Sequence, residues 1–283
     1  MGCSTSKAIL GKAPTYQESH GADPTLPYYS KYSEQESKGT DDGFWTSDKS
    51  SCKPIRFSAK GKGSAQENPA ITIPQMLQQA VAKSGNKPFL RVEDVPTTFV
   101  KGAVPVSKPV DEWNARTYSE TYEECRSVAK GYMSLGLDPL DAVTIYGFNS
   151  PEWVMAELAC ILAGGIAAGI YPSDTKDQVT FKAKHSGAVV AVVQNKTKAD
   201  VFLSAASAGE LPKLKAIVVW DESGGLPAST TSIDIMSWNA LVKLGQSGNN
   251  QSLDERMEAQ QPGNCCAYIY TSGTTGMPKA VMI

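Results

Sequence analysis

The sequence predicts an α/β fold, a parallel sheet with helices on both of its faces. Three observations carry that prediction: helix and strand patterns alternate regularly from Ser119 onward, the strand segments are apolar throughout, and capping residues punctuate the helices. Alternation of this kind builds β-α-β units, and a strand that is apolar at every position must be buried on both faces.

Taken in order, Ile73, Met76, Leu77, Ala80 and Val81 fall at helical spacing and predict a helix over 71–83, with Gly85 placed to stop it. The folded unit is expected to begin there, at about residue 70. Residues 89–118 alternate irregularly and carry Pro96, Pro105 and Pro109, which suits short strands separated by a longer loop. Tyr122, Cys125, Val128, Ala129, Tyr132 and Met133 then form a helical stripe ended by Gly136, followed by a buried strand over 143–146. Ser150 and Pro151 suit the N-cap and first position of a helix reaching about residue 163, before a strand over 166–170. A helix ending near Gly187, a strand over 188–193, a helix over 199–206 and a strand over 216–220 continue the pattern. A loop rich in Gly, Ser and Thr spans 221–232, a short helix follows over 238–244, and a polar connection runs to Gly263. The last strand is expected over 265–270.

Residues 1–69 read differently. They are rich in Ser, Gly, Lys, Glu and Pro without a sustained period, so a largely extended leader is expected ahead of a globular portion over 70–283. The first residues, Met1-Gly2-Cys3-Ser4-Thr5-Ser6, fit the acceptor pattern for myristoylation of Gly2, and Cys3 is then placed for palmitoylation. One myristoyl chain binds a membrane only marginally, so the adjacent thiol matters for stable anchoring. The expected location is the cytosolic face of a membrane.

Composition narrows the function classes. An apolar content of 41% supports a substantial core, and a net charge of −2 supplies no general field for nucleic acid. The six cysteines show no CxxC pair, which argues against a zinc site or a disulfide framework and for a reducing compartment. The longest apolar stretch, 154–170, contains Glu157 and the Gly164-Gly165 pair and reads as a buried helix running into a buried strand. It is shorter than the ~20 residues a spanning helix needs.

The chemistry is expected where the last strand enters Thr271-Ser272-Gly273-Thr274-Thr275-Gly276-Met277-Pro278-Lys279. A polyphosphate is held by inward-pointing backbone N–H groups, hydroxyl donors and a cation. Gly273 and Gly276 permit close backbone approach, Thr271, Ser272, Thr274 and Thr275 supply hydroxyls, and Lys279 supplies the charge. The P-loop of nucleotide triphosphatases needs G-x-x-x-x-G-K-[ST], and the spacing here does not meet it. No metal-ligand cluster and no catalytic residue can be assigned from these patterns. His20 and His185 read as surface positions, and Cys265-Cys266 as strand packing. Trp153 and Tyr171 read as core aromatics ahead of pocket-lining ones.

The ordered string Tyr270 to Lys279, YTSGTTGMPK, resembles the phosphate-binding loop of the AMP-forming, acyl-adenylate-making enzymes. Further stretches resemble the bubblegum-type long-chain acyl-CoA synthetases: Gly147-Phe148-Asn149-Ser150-Pro151-Glu152-Trp153, Ala163-Gly164-Gly165-Ile166-Ala167, Leu214-Lys215-Ala216-Ile217-Val218, and Gln261-Pro262 with Cys265-Cys266. The resemblance covers residues 44–283 and is weaker before Tyr118.

This resemblance implies the amino-terminal part of the adenylate-forming enzyme fold and a two-step ligase reaction. A fatty carboxylate attacks the α-phosphate of ATP, pyrophosphate leaves, and the acyl-adenylate passes its acyl group to coenzyme A. It implies that Ser272, Thr274, Thr275 and Lys279 orient the β- and γ-phosphates, that Gly273 and Gly276 let the loop close, and that Mg²⁺ helps offset the charge. Glycine usually follows the lysine in this pattern, and here the residue is Ala280. The family's later motifs have no counterpart before Ile283, so the chain is expected to be an inactive fragment when alone. Two other readings remain open on the sequence: an adenylate-forming ligase for a different acid, and a lipid-anchored nucleotide-binding protein without catalysis.

Overall fold

The structure, a computed structural model, describes residues 48–52, 67–93, 107–228, 232–271 and 278–283. The chain divides into two compact units. In the smaller one, the described parts are 48–52, 67–72, 259–265 and Met282. Asp48 Oδ1 accepts from the Ser50 N–H at 2.9 Å, Asn264 Nδ2 donates to the Ser50 and Ser51 carbonyls at 3.2 and 3.1 Å, and the Cys265 N–H donates to the Lys49 carbonyl at 3.0 Å. Cys52 is disulfide-bonded although the cysteine spacing argued against a disulfide framework, whereas Cys125, Cys160, Cys265 and Cys266 are free.

The larger unit holds the sheet. It opens with α1 (Ile73–Ser84), then β1 (Pro88–Val92) paired antiparallel with β2 (Asn114–Thr117). These fall in the region where short strands around a loop were expected. Helix α2 (Tyr118–Ser134) starts where Thr117 and Glu120 cap reciprocally: Thr117 Oγ1 accepts from the Glu120 N–H at 3.2 Å, and Glu120 Oε2 accepts from the Thr117 N–H at 2.8 Å. Those bonds hold the Glu120 carboxyl below its ordinary range. Strand β3 (Ala142–Tyr146) leads to α3 (Pro151–Leu162), which Ser150 caps by accepting from the Trp153 N–H at 3.1 Å. Strand β4 (Ile166–Ile170) follows, so the apolar stretch is a helix and then a strand, as its composition predicts. Helix α4 (Lys176–Ser186) is capped by Thr175 and Gln178 at one end and by Gly187, at φ 68°, at the other.

The series continues with β5 (Ala188–Val193), α5 (Lys196–Ser207), β6 (Ala216–Val219), β7 (Asp234–Ser237), α6 (Trp238–Gln246) and α7 (Asn250–Ala259). It ends in β8 (Ala267–Thr271) and β9 (Lys279–Met282). Two of these differ from the sequence expectation. Strand β7 lies just beyond what was read as a loop, and α7 occupies what was read as a polar connection.

The seven-stranded sheet has the order β7-β6-β5-β3-β4-β8-β9. From β7 to β8 all the neighbouring pairs are parallel. Strand β9 turns back: the Ala267 N–H donates to the Ile283 carbonyl and the Ile283 N–H to the Ala267 carbonyl, an exchange that marks an antiparallel pair. Period-two alternation sends the side chains of one strand into two cores. Val190, Val192, Ala216 and Val218 join α2, α3, α6 and α7 on one face. Ala191, Val193, Ile217 and Val219 join α4 and α5 on the other. Helices therefore cover both faces, as the apolar strands require.

On α3, Glu157 is half-buried beside Cys160 and Cys266, and burial pushes its carboxyl above the ordinary range. A carboxyl with a raised folded-state pKa favours folding while protonated, and that advantage is lost as pH rises from its unfolded value through its folded one. Glu157→Gln is accordingly expected to raise the melting temperature slightly at neutral pH and to leave it unchanged at acid pH, where Glu157 is already neutral. Thermal unfolding at both pH values checks this, and partial exposure keeps the gain small.

Candidate functional site

Sheet order reverses between β3 and β5, from which the chain leaves in opposite directions, to β4 and to β6. The connection through α3 crosses one face toward β4, and that through α4 crosses the other face toward β5. In open α/β sheets, ligands collect at the carboxyl ends of the strands beside such a reversal. At that end, neighbouring strands β3, β4, β5 and β8 present Tyr146 to Phe148, Ile170 to Tyr171, Val193 to Asn195 and Tyr270 to Thr271.

The expected phosphate loop leaves from this rim. Thr271 is the last residue of β8 and is exposed, and Lys279 is the first of β9 and half-buried. Extending the register set by the Ala267–Ile283 pair places Thr271 opposite Lys279, so the hydroxyl and the ammonium-bearing residue flank the two ends of the loop. Ser272, Gly273, Thr274, Thr275 and Gly276 lie outside the described residues, as do Gly2, Cys3 and His20.

Around Thr271 and its neighbours the structure assembles groups that sequence patterns did not single out. Lys182 has a side chain only 3% exposed and forms an ion pair with Asp174, itself 11% exposed. Asp174 Oδ2 also accepts from the Tyr171 N–H at 3.2 Å, which closes the turn between β4 and α4. The Lys182 Nζ stands 5.0 Å from the Tyr171 ring centre and 5.6 Å from that of Tyr270. One signal did exist: Lys182 follows Val179 by three positions and precedes Ala183, so helical spacing puts it on the inward stripe of α4.

Two expectations are corrected here. His185 is not a surface residue: it is half-buried, with Nδ1 3.0 Å from the Tyr270 hydroxyl. Tyr171 is not core, being 58% exposed, because it follows the last residue of β4 and reaches past the sheet. Trp153 does pack against the core, and Cys265 is buried but precedes β8 instead of lying within it.

At the reversal itself, Lys198 Nζ lies 4.0 Å from the Tyr146 ring centre and 5.9 Å from that of the exposed Phe148. Burial lowers the Lys198 ammonium from its ordinary range, while burial and the charge of Asp174 raise the Tyr146 hydroxyl. Gln194 Oε1 accepts from the Phe148 N–H at 3.2 Å and fixes that turn to the end of β5. The rim thus combines exposed aromatic faces with ammonium groups, a pairing suited to a ligand with a planar part and an anionic part.

Comparison with known proteins agrees with this geometry. The family model described as AMP-binding enzyme matches residues 77–283. A Xenopus laevis relative named long-chain-fatty-acid–CoA ligase ACSBG2 is 33% identical over 84% of this chain and 29% of its own length. A Mus musculus relative named long-chain-fatty-acid–CoA ligase ACSBG1 is 30% identical over 99% of this chain and 35% of its own. The chain thus spans about a third of the length of these curated relatives. Among solved structures, the anthranilate CoA ligase AuaEII in complex with anthranoyl-AMP superposes with a TM-score of 0.56 at 20% identity, over 77% of this chain and 36% of that one. The A-PCP didomain of a carboxylic acid reductase from Segniliparus rugosus, in complex with AMP, gives 0.59 at 18% identity, over 76% and 32%. These likenesses show the adenylate-forming fold, and the family match establishes that the chain belongs to the AMP-binding enzymes.

Proposed function

We propose that this chain is the nucleotide-phosphate-holding part of a long-chain fatty acid–CoA ligase that forms acyl-CoA, AMP and pyrophosphate through an acyl-adenylate. The observation that carries the reading is the hairpin β8–β9 at the carboxyl-end rim of the sheet, with Thr271 and Lys279 at the two ends of a loop of sequence Ser272-Gly273-Thr274-Thr275-Gly276-Met277-Pro278. The fatty acid as substrate is supported by the names of the relatives. In this reading the hydroxyls of Thr271, Ser272, Thr274 and Thr275 and the ammonium of Lys279 bind and orient the β- and γ-phosphates of ATP, and Gly273 and Gly276 let the backbone close on them. Holding pyrophosphate in place opens the α-phosphate to the incoming carboxylate, and coenzyme A then accepts the acyl group.

Among the described residues no cluster of three or more His, Cys, Asp or Glu could hold a metal ion. In this reading Mg²⁺ would be carried on the nucleotide's phosphates and help offset their charge. Among the described residues no helix is long and apolar enough to cross a membrane. We place the protein on the cytosolic face of a membrane through acylation of Gly2, and of Cys3 where that thiol is reduced, at the start of a leader over 1–69 ahead of the family portion over 70–283, where a bilayer-partitioned fatty acid meets it.

The test is an equilibrium titration of the purified chain with a fluorescent ATP analogue, competed by ATP and by pyrophosphate. Saturable binding is expected, with Lys279→Ala weakening it by about tenfold or more, the worth of a charge-assisted bond to phosphate. Acyl-CoA production is expected to be absent, because the chain supplies only 29–35% of its relatives' length. Binding that Lys279→Ala leaves intact would remove the loop from the site.

A further inference from the structure

We propose that one turn of α4, residues 181–185, sets the direction in which the chain leaves β8 for the phosphate loop, with His185 and the Lys182 carbonyl as the positioning groups on Tyr270. The inference rests on the reading of that loop given above and names residues that reading does not use.

Tyr270 is 2% exposed and immediately precedes Thr271. Its hydroxyl donates to the Lys182 carbonyl at 3.1 Å and lies 3.0 Å from His185 Nδ1. The two rings meet edge to face, with centres 5.7 Å apart at 77°, and the His185 ring stacks on Phe181 at 5.5 Å and 30°. The backbone ladder between β4 and β8 pairs Ala167 with Ala267 and Ala168 with Tyr268, in the amino-terminal half of β8. At the carboxyl end of the strand, α4 adds this side-chain clamp. The same turn reaches β4, because the Lys182 ammonium pairs with Asp174, whose carboxylate accepts from the Tyr171 N–H.

Packing alone would be satisfied by phenylalanine at position 270. The hydroxyl makes the position directional, because a buried hydroxyl left without partners is costly, so it holds the ring at one angle only while both partners stay in place. Proton accounting fixes the role of His185. A tyrosine hydroxyl has a single proton, here directed to the Lys182 carbonyl, so the Nδ1–H of His185 donates to the hydroxyl oxygen. The neutral ring is thereby held as the Nδ1–H tautomer, whereas free imidazole side chains favour Nε2–H.

Nitrogen NMR of the ¹⁵N-histidine-labelled chain reads the tautomer directly, since the sequence has only two histidines, His20 and His185. Neutral His185 is expected as Nδ1–H, and Tyr270→Phe is expected to release it to Nε2–H. In the ATP titration, His185→Leu and Tyr270→Phe are each expected to weaken binding about fivefold, what one net hydrogen bond is worth, with the double variant no weaker than either single one. His185→Asn, which keeps an N–H donor near the place of Nδ1, is expected to restore wild-type affinity. An Nε2–H ring in the wild type overturns the inference. So does a His185→Leu or Tyr270→Phe protein that melts lower yet binds ATP as tightly as the wild type, because the contact is then structural only. If the wild-type chain binds no ATP, the proposed function falls and the inference falls with it; wild-type binding that none of these variants weakens defeats the inference alone.

Discussion

Replacing Lys182 by methionine is expected to destabilise the protein by about 3–5 kcal/mol, the usual cost of removing one partner of a buried ion pair. Its ammonium is the charge that faces the Asp174 carboxylate at the turn after β4, and the two side chains are 3% and 11% exposed. Methionine fills most of the volume but leaves the carboxylate with only the Tyr171 N–H among these contacts. Thermal unfolding should show a loss of roughly 10 °C for a unit of this size. Removing both charges, in Lys182→Met with Asp174→Asn, should recover much of that loss. The cost lies in the unpaired charge more than in the pair itself, so a double variant as unstable as the single one would contradict this account.

Gly245→Ala is expected to cost about 3 kcal/mol or more, at the upper end of what overpacking does. Helices α2 and α6 cross with their backbones in contact, and a Cβ at Gly245 would lie 1.7 Å from the Ser127 carbonyl oxygen. Gly131 faces the same crossing, where a Cβ would meet Leu241 at 2.7 Å. A carbonyl within a helix cannot move aside as a side-chain tip can, so the two helices must separate and open the core around Val128, Tyr132, Trp238 and Leu241. Gly224→Ala is the control, since a Cβ there meets only Lys196 Cβ at 4.0 Å, and it should melt within about 1 °C of the wild type. Equal melting temperatures for the two variants would show that the crossing is looser than described.

Much of the sheet could be read from the sequence because its strands are buried on both sides. Strands β4 and β5 have the expected bounds, and Gly187 ends α4 in the left-handed conformation that favours glycine. Strand β7 left no such signal: it is a four-residue edge strand, exposed at Asp234 and half-buried over the rest, so no apolar run marks it. Helix α7 buries only Leu253 and Met257, and two apolar residues four apart in a polar segment are a weak stripe. The return of β9 against β8 depends on a hairpin, and its four residues carry no period that separates a parallel partner from an antiparallel one. At the site, the loop was legible because its residue types and their order carry its chemistry. The groups that hold its root were not. His185 and Tyr270 are 85 positions apart and meet only because β4, α4 and β8 are folded together.

The central claim, that the loop between β8 and β9 holds nucleotide phosphates, is tested most directly by lysine footprinting with an amine-reactive reagent and mass spectrometry. Lys279 should be protected by ATP and by pyrophosphate, while Lys213, which precedes β6 at the opposite, amino-terminal end of the strands, should label equally with and without them. Equal labelling of Lys279 with and without saturating ATP would contradict the claim.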